Sequence, residues 1–482
     1  MVAEALAALV LVPLVAASLL LLVPGRMRWL AVVAGLLPMP LATFVLTDEL
    51  LREGTLRLAI AGFDAPLGIV WHFDALSAVL IWLNVIIVIV VGLHAATRYP
   101  LARREGKLFW LLWLLLASAM NALLLSSDLF NLFVTLELVT LAAIGLLVID
   151  RKPAALRAAV RYLLLALLGS LFYLLGVALI YGQAGTLDLY QVGQTLGPDL
   201  LSRTALVLMT VGLLIKAAIF PLHGWLPAAH GNAPGPVSAI LSAMVVKVAV
   251  YLIWRLWLWT GAEWDMPMAM FALGLLGAGA IIYGSLLAFV QQRLKMIIAY
   301  STVAQLGYLM LLFPLLGAVA FQATTYHLLS HGLAKAAMFL AAANLLHRVN
   351  SDRLEDLRGA DRRLPLDVFT LAIAGVSILG LPPTGGFIAK WLLVQTALEQ
   401  GQWLWVLVIL AGGLLAAGYL FRALAVLCAR PIDCPEPRPA RGADHIAGLT
   451  ALALALAALA AGFAAAPILD FLARAWPPGV TP

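Results

Sequence analysis

A small set of ionisable side chains interrupts long apolar stretches of this sequence. They are Glu137 in "LFVTLELVTLA", Lys216 in "LLIKAAIF", Lys247 in "SAMVVKVAVY", Lys335 in "HGLAKAAMFL" and Lys390 in "TGGFIAKWLL". A lysine deprived of water gives up its proton more easily, whereas a nearby carboxylate restores the charged form. A Lys and Glu pair whose separation changes can therefore bind and release a proton. These residues indicate proton transfer as the chemistry of the chain.

Two histidines add to this set. His327, His331 and Lys335 recur every four residues, so they share one face of a helix. Neutral imidazoles at this spacing are suited to a proton relay, and ordinary hydrogen bonding between helices is the alternative. A metal site needs further ligands, and none is evident in the sequence. We expect the relay.

Other polar residues lie close to the charged ones along the chain. The two histidines that follow Lys216 could pass protons between it and the cytoplasm, or they could serve in capping and loop packing. Hydroxyl and amide side chains near the later lysines could hydrate a second path. The candidates for these half-channels are His223, His230, Ser301, Gln305, Thr324 and Ser330.

The composition defines the elements that must position these residues. Of the 482 residues, 64% are hydrophobic and 11% are charged, whereas a soluble domain has about 25% charged residues. We count about 14 apolar runs long enough to cross a bilayer as helices. We therefore predict an all-α polytopic membrane protein with no soluble domain.

The basic residues give an orientation. The net charge is +6, but lysines and arginines collect on alternate loops such as "TRYPLARREGK" and "DRKPAALRAAVR". By the positive-inside rule those loops are cytoplasmic, which places both termini on the outer side of a cell (inner) membrane. This distribution indicates a lipid bilayer and gives no hint of a nucleic-acid partner.

The depth of these lysines in the predicted membrane spans bears on their function. A charged side chain at this depth is costly and is a functional candidate by default. Near a helix end, a lysine such as Lys216 could instead lift its ammonium group to the interface. Glu137 could be a purely structural partner that neutralises a lysine. Lys247 and Lys335 lie too deep in their runs for easy escape to the interface.

Two of the predicted spans contain helix breaks. The seventh runs into "FPLHGWLPAAHGNAPGP" and the twelfth contains "LGLPPTGGFIAK". Proline and glycine at membrane depth usually line a cavity, and paired broken helices indicate an inverted repeat. We predict helices 1–3 in residues 1–107, two inverted five-helix repeats in 108–258 and 268–428, and a last helix in 446–482. Ordinary kinks are the alternative.

Four ordered segments carry a family resemblance. "KAAIFPLHGWLPAAHGNAPGPVSAILSAMVVKVAVY", "DLFNLFVTLE", "TTYHLLSHGLAKAAMFL" and "LPPTGGFIAKW" resemble the antiporter-like subunits of Mrp-type cation/proton antiporters, respiratory complex I and membrane-bound hydrogenases. The resemblance implies a 14-helix core and a row of buried charges. It implies that Glu137 contacts Lys216. It assigns the row to Glu137, Lys216, Lys247 and Lys390, with His327, His331 and Lys335 as a polar cluster.

The resemblance also implies a function. "DLFNLFV" followed by Glu137, and a chain that ends after the fourteenth span, resemble the D-type subunits of the Mrp antiporters. We expect a subunit without catalytic activity or cofactor, which moves protons in exchange for Na⁺ or another monovalent cation within a complex of membrane subunits. A proton-pumping subunit of a redox-driven complex is the alternative, and a passive scaffold is the third. Ala228 stands where relatives often carry an acid.

Overall fold

The computed structural model describes residues 1–260, 264–431 and 434–476. Within these ranges the chain is a bundle of α-helices. Eleven helical stretches are long and apolar enough to cross a membrane, and two of them, Gly25–Glu53 and Gly235–Trp259, combine consecutive helical segments. The chain is therefore a polytopic membrane protein, as its composition predicts.

The N-terminal region contains four helices and a hairpin. Its elements are α1 (Val2–Leu22), α2 (Arg28–Leu36), α3 (Pro38–Glu53), β1 (Leu56–Ala59), β2 (Val70–Phe73) and α4 (Ala75–Ala96). The two strands pair antiparallel, with Leu56 opposite Phe73 and Ala59 opposite Val70. The hairpin is a correction to the all-α prediction. It forms where two short β-prone stretches flank a turn containing Gly and Pro.

The next region contains the first predicted set of five spans. Its elements are α5 (Arg104–Leu125), α6 (Leu129–Leu147), α7 (Pro153–Ala184), α8 (Leu189–Thr195), α9 (Leu200–Lys216), α10 (Leu226–Asn232), α11 (Gly235–Ile240), a π-helical segment (Leu241–Val245) and α12 (Val246–Trp259). Aspartates begin several of these helices. Asp128 caps α6 by accepting the Asn131 N–H at 2.6 Å, and Asp199 caps α9 by accepting that of Ser202 at 2.7 Å.

The C-terminal half contains the remaining helices. They are α13 (Pro267–Val290), α14 (Leu294–Met310), α15 (Ala318–Val349), α16 (Ala360–Arg363), α17 (Pro365–Leu379), α18 (Gly385–Glu399), α19 (Trp403–Leu427), α20 (Gly442–Phe463) and α21 (Ala465–Ala473). Helix α15 is central and packs against α4, α11, α14, α17, α18 and α20. The last part of the predicted C-terminal region, 477–482, lies outside the described residues.

Both predicted helix breaks are present. Helix α9 ends at Lys216 and the chain resumes as α10 at Leu226, with Ala218 at a positive φ of 54°. Helix α17 ends at Leu379, where Gly380 adopts the left-handed conformation that closes many helices. Helices α9 and α14 have 17 residues each and the twelfth span is divided, so the count of 14 spans stays a prediction.

Glycines bring two helix pairs into close contact. A Cβ atom on Gly212 of α9 would lie 2.3 Å from the carbonyl oxygen of Gly169 on α7, and one on Gly307 of α14 would lie 2.3 Å from that of Gly277 on α13. No side chain fits at these distances. The close approach of α7 to α9 sets the position of the helix that ends at Lys216.

We predict that Gly212→Ala lowers the stability of the protein, because the added methyl group forces α7 and α9 apart. Overpacking of this kind costs about 1–3 kcal/mol. Gly182→Ala is the matched control, since a Cβ there meets nothing within 4 Å. Thermal denaturation of the purified protein measures both, and equal melting temperatures for the two variants would contradict the close contact.

Candidate functional site

Lys216 and Glu137 form an ion pair at the first helix break, in which the lysine is buried and the glutamate is partly buried. The Nζ atom of Lys216 donates to Glu137 Oε1 at 2.7 Å and lies 3.4 Å from the Thr140 hydroxyl. The same carboxylate oxygen accepts from Ser170 on α7. Helices α6, α7 and α9 thus meet at one carboxylate. The contact that the family resemblance implies is confirmed.

Lys247 is held without a carboxylate. It is fully buried, and its Nζ donates to the carbonyl oxygens of Ser242 at 2.9 Å and Ala243 at 3.0 Å. Both carbonyls belong to the π-helical segment that precedes α12. π-Helical segments are rare in proteins, and those that occur often lie at functional sites.

Lys335 and Lys390 are also held by neutral oxygen atoms. Lys335 Nζ donates to the carbonyl of Ile298 at 3.0 Å and to the Ser301 hydroxyl. Lys390 Nζ donates to the carbonyls of Ile378 at 2.8 Å and Leu379 at 3.1 Å. These last carbonyls of α17 have no partner within the helix, and the end of a helix favours a positive charge.

We call Lys216, Lys247, Lys335 and Lys390 the lysine row. All four side chains are buried. Within the described part of the chain, Lys216 alone among them has a carboxylate within 4.0 Å. One member of the row is therefore charge-compensated, and the ammonium groups of the other three donate to backbone carbonyls and a hydroxyl.

His327 and His331 lie close to three members of the row, Lys247, Lys335 and Lys390. Their rings are parallel with centroids 5.7 Å apart, and the Tyr308 ring lies 5.3 Å from that of His327. Their four ring nitrogens are buried and have no hydrogen-bond partner of good geometry among the described residues. His331 is within electrostatic reach of Lys247, Lys335 and Lys390. The predicted cluster is therefore formed in space as well as in sequence.

The hydroxyl and amide candidates differ in their surroundings. Ser301 accepts from Lys335, and Ser330 shares a hydrogen bond of 2.9 Å with Ser377. The Gln305 amide is buried and has no partner of good geometry in the described ranges. Thr324 donates to carbonyls of its own helix. Ser301 and Ser330 thus contact other helices at the row, whereas the hydroxyl of Thr324 bonds within its own helix.

The two histidines after the first break are packed against aromatic rings. Neither His223 nor His230 forms a described hydrogen bond or ion pair with Lys216. His230 is buried with its ring 4.5 Å from that of Phe339 on α15. The ring of His223 packs beside that of Tyr283 at 5.3 Å. Neither histidine contacts Lys216 directly, and their predicted role in a half-channel stays a prediction.

Two further positions complete the description of this region. Ala228, where the resemblance leads us to expect an acid, is the third residue of α10, and its carbonyl accepts from Asn232 at 2.8 Å. Among the described residues, no group of three or more His, Cys, Asp or Glu side chains is placed to hold a metal ion.

The buried ion pair of Arg255 with Asp74 was not predicted from the sequence. Arg255 on α12 donates to both carboxylate oxygens of Asp74, at 2.5 and 2.6 Å, and to the hydroxyls of Tyr251 and Ser77 at 2.9 Å each. Lys247, Tyr251 and Arg255 follow one another at intervals of four residues, so they share a face of α12. The signal was an arginine in the apolar run "LIWRLW".

His72 lies near this pair, outside the membrane-spanning helices. Its ring stacks on Tyr190 with centroids 4.2 Å apart. Burial, and then the charge of Arg57, lower the pKa of His72 to about 4. The His72 ring is therefore neutral at physiological pH and adds no positive charge at this end of α12.

Comparison with known proteins gives a family match. A family model described as the transmembrane region of NADH:quinone oxidoreductase and Mrp antiporters matches residues 126–416. The chain is 34% identical to NADH-quinone oxidoreductase subunit N of Desulforudis audaxviator, over 86% of this chain and 83% of the relative. It is 28% identical to the D-type Na⁺/H⁺ antiporter subunit of Alkalihalophilus pseudofirmus, over 84% and 83%.

Solved structures give the same two groups. A chain of the Mrp complex from Dietzia sp. DQ12-45-1b superposes with a TM-score of 0.90 at 26% identity, over 98% of this chain and 97% of that chain. A chain of respiratory complex I from Thermus thermophilus gives 0.78 at 30% identity, over 98% and 99%. Nearly the whole fold is shared with both.

We predict that Asp74→Asn destabilises the protein, because asparagine still caps α4 but leaves Arg255 buried without a counter-charge. Breaking such a pair costs about 3–5 kcal/mol. Asp48→Asn is the control, since its pair with Arg52 is exposed and is worth less than about 1 kcal/mol. Thermal denaturation compares the two, and an equally small loss for Asp74→Asn would refute a stabilising role for the pair.

Proposed function

Because this chain belongs to the NADH:quinone oxidoreductase/Mrp antiporter transmembrane family, we propose that it is a proton-translocating subunit of a multi-subunit Mrp-type antiporter. The assembly exchanges Na⁺ or another monovalent cation for protons. The chain itself is a transporter subunit without catalytic activity. The ion pair between Lys216 and Glu137 is the observation that carries this proposal.

The pair provides a proton site of variable affinity. Buried Lys216 keeps its proton while the carboxylate lies 2.7 Å away. If the two groups separate, the apolar surroundings favour the neutral amine and the proton leaves. Lys216 is the last residue of α9, directly before the break, where backbone movement changes the separation most readily. Movement of the backbone at the break thus loads a proton onto Lys216 or releases it.

The other lysines suit onward transfer. Carbonyl oxygens accept a hydrogen bond from a neutral amine as well as from an ammonium group, so Lys247, Lys335 and Lys390 are held in either state. We propose that protons pass from Lys216 along Lys247 and the cluster of His327, His331 and Lys335 to Lys390. A charge at one member raises the cost of a charge at the next.

Orphaned polar atoms support hydration of the second half of this path. The ring nitrogens of His327 and His331 and the Gln305 amide are buried without protein partners of good geometry in the described ranges. Buried polar groups are nearly always satisfied by protein or by ordered water. We therefore assign the second half-channel to this group, with Ser301 and Ser330 at its side, and leave Thr324 a weaker candidate.

The surroundings of Glu137 support the proposal that this chain packs against other membrane subunits. Its side chain is 18% exposed on a face of α6 whose other exposed residues are Phe130, Val134, Leu138 and Leu141. A partly exposed carboxylate is unstable against lipid. We propose that another membrane subunit covers this face, as the family's occurrence in the Mrp complex and in respiratory complex I suggests.

The arrangement of the helices supports two inverted repeats. In the sets 108–258 and 268–428, the third spans, α7 and α15, have 32 residues each, and the fourth span is broken. We propose that these sets are the repeats within a 14-span core, flanked by 1–107 and 446–482. The basic loops support a cell membrane location with both termini outside.

A proton-pumping subunit of a redox-driven complex is the second candidate. The higher sequence identity to NADH-quinone oxidoreductase subunit N, 34% against 28% for the D-type antiporter subunit, favours it, whereas the TM-score of 0.90 with a chain of the Mrp complex favours the antiporter. The proteins that co-purify with the chain distinguish the two. Small antiporter subunits support the first candidate, and iron–sulfur subunits support the second.

We predict that Lys216→Ala abolishes cation-dependent proton exchange in inverted membrane vesicles that contain the assembled complex. Glu137→Gln should reduce exchange strongly, because Lys216 then loses its compensating charge. Lys107→Ala, a half-buried lysine near the start of α5, is the control and should leave exchange unchanged. Unimpaired exchange in a correctly assembled Lys216→Ala complex would rule out the proton site.

A further inference from the structure

A second chain of buried polar groups lies apart from the lysine row. It joins His94 in the last turn of α4, Asn344 on α15 and Asp367 in the first turn of α17. His94 Nε2 donates to Asn344 Oδ1 at 3.0 Å, and Asn344 Nδ2 donates to Asp367 Oδ1 at 2.9 Å. All three side chains are buried. The amide thus connects two titratable groups on different helices.

This chain of groups reaches a cavity at the basic end of the bundle. The cavity has a volume of about 850 Å³, and His94 lines it together with Arg98, Tyr99, Lys295 and His347. The second ring nitrogen of His94, Nδ1, is buried and has no partner of good geometry in the described ranges. The His94 side chain therefore lines the cavity and also contacts the Asn344 amide.

The charges around Asp367 do not include a direct ion pair in the described part of the chain. Those that face it are Arg348 on α15, Arg98 after α4 and Asp444 on α20. Arg98 is already paired with Asp444 at 3.1 Å. The carboxylate is therefore stabilised mainly by the Asn344 amide and by the N-terminus of α17, so its charge is less firmly fixed than in a salt bridge.

Helix α17 links this carboxylate to the lysine row. Asp367 lies in its first turn, and the carbonyls of Ile378 and Leu379 at its other end hold Lys390. The helix is attached to α15 near both ends, by Asn344 with Asp367 and by Ser330 with Ser377. A shift of one end of this 15-residue helix moves the acceptors of Lys390.

We propose that Asp367, with Asn344 and His94, is a proton-binding site that is supplied from the cavity and controls the Lys390 site through α17. This inference rests on the proposed transport function and adds its regulation by cytoplasmic pH. The site binds one proton, at the carboxylate. The charged state is the arrangement seen here, in which every hydrogen bond runs from His94 toward Asp367.

Protonation of Asp367 reverses those hydrogen bonds. A proton on Oδ1, the oxygen that faces Asn344, makes the acid a donor at this contact, so Asn344 turns its carbonyl oxygen to Asp367 and its amide NH2 group to His94. His94 must then accept at Nε2 and carry its proton on Nδ1. In the step that loads the site, His94 takes one proton from the cavity at Nδ1 and releases its Nε2 proton toward Asn344 and Asp367. One proton thus leaves the cavity, the carboxylate gains one, and the charge of His94 does not change. Reorientation of Asn344 and loss of the Asp367 charge change the hydrogen-bonded contact between α15 and α17.

The experiment measures cation-dependent proton exchange in inverted vesicles, whose outer medium sets the pH of the cytoplasmic side. We expect Asp367→Asn to assemble and to flatten the pH profile, reducing the ratio of rates at its two ends by about fivefold or more, as for a typical allosteric coupling. Asp367→Glu should restore the dependence. Glu355→Gln, which removes an exposed carboxylate (67% accessible), should leave the profile unchanged.

The outcomes separate this proposal from the proposed function. Wild-type profiles in assembled Asp367→Asn would overturn the proton-binding site while leaving the transport function intact. If Asp367→Asn does not assemble, Asn344→Ala tests the same link and must flatten the profile. If the wild-type complex shows no exchange, the transport function fails. Infrared difference spectra of the protein at two pH values then test Asp367 by itself. A pH-dependent carboxyl band that disappears in Asp367→Asn supports the site, and the absence of such a band overturns it.

Discussion

An ammonium group inside a bilayer has no water to solvate it, so each buried lysine of this chain depends on oxygen atoms supplied by the protein. At Lys216 the oxygen belongs to the Glu137 carboxylate, at which α6, α7 and α9 meet. The close packing of Gly169 on Gly212 and the helix break after Lys216 follow from the same need. They bring a lysine to a carboxylate and leave the backbone next to it irregular.

The chain supplies these oxygen atoms in two ways, and the difference matters for function. A carboxylate responds to a change in distance, since the attraction between opposite charges in an apolar medium is strong. Backbone carbonyls at a π-helical segment or at the end of a helix hold an amine in either protonation state. In the proposed function, movement therefore alters the proton affinity of Lys216, whereas Lys247 and Lys390 receive a proton and pass it on.

Much of this arrangement could be predicted from the sequence. Apolar runs located the helices, since a long run in lipid has almost no other way to satisfy its backbone. Proline and glycine located both breaks. The contact of Lys216 with Glu137 could be predicted through the family resemblance, because each residue is an isolated charge in an apolar run.

The rest depends on contacts between segments far apart in the chain, which periodicity does not reveal. Arg255 is visible in an apolar run, but its partner Asp74 looks like an ordinary helix cap. Asn344 and Asp367 look like residues near the ends of helices. His230 follows Lys216 in sequence, yet the break turns the chain so that it packs on Phe339.

The central claim is that Lys216 is a proton site, with Glu137 as the group that sets its affinity. The most direct test is proton exchange by an assembled complex in which Glu137→Lys and Lys216→Glu are combined. Opposite charges still face each other, so the complex should assemble near the wild-type level. We expect exchange to be lost, because the lysine no longer lies at the break. Exchange at the wild-type rate would contradict it and would reduce the pair to a structural contact.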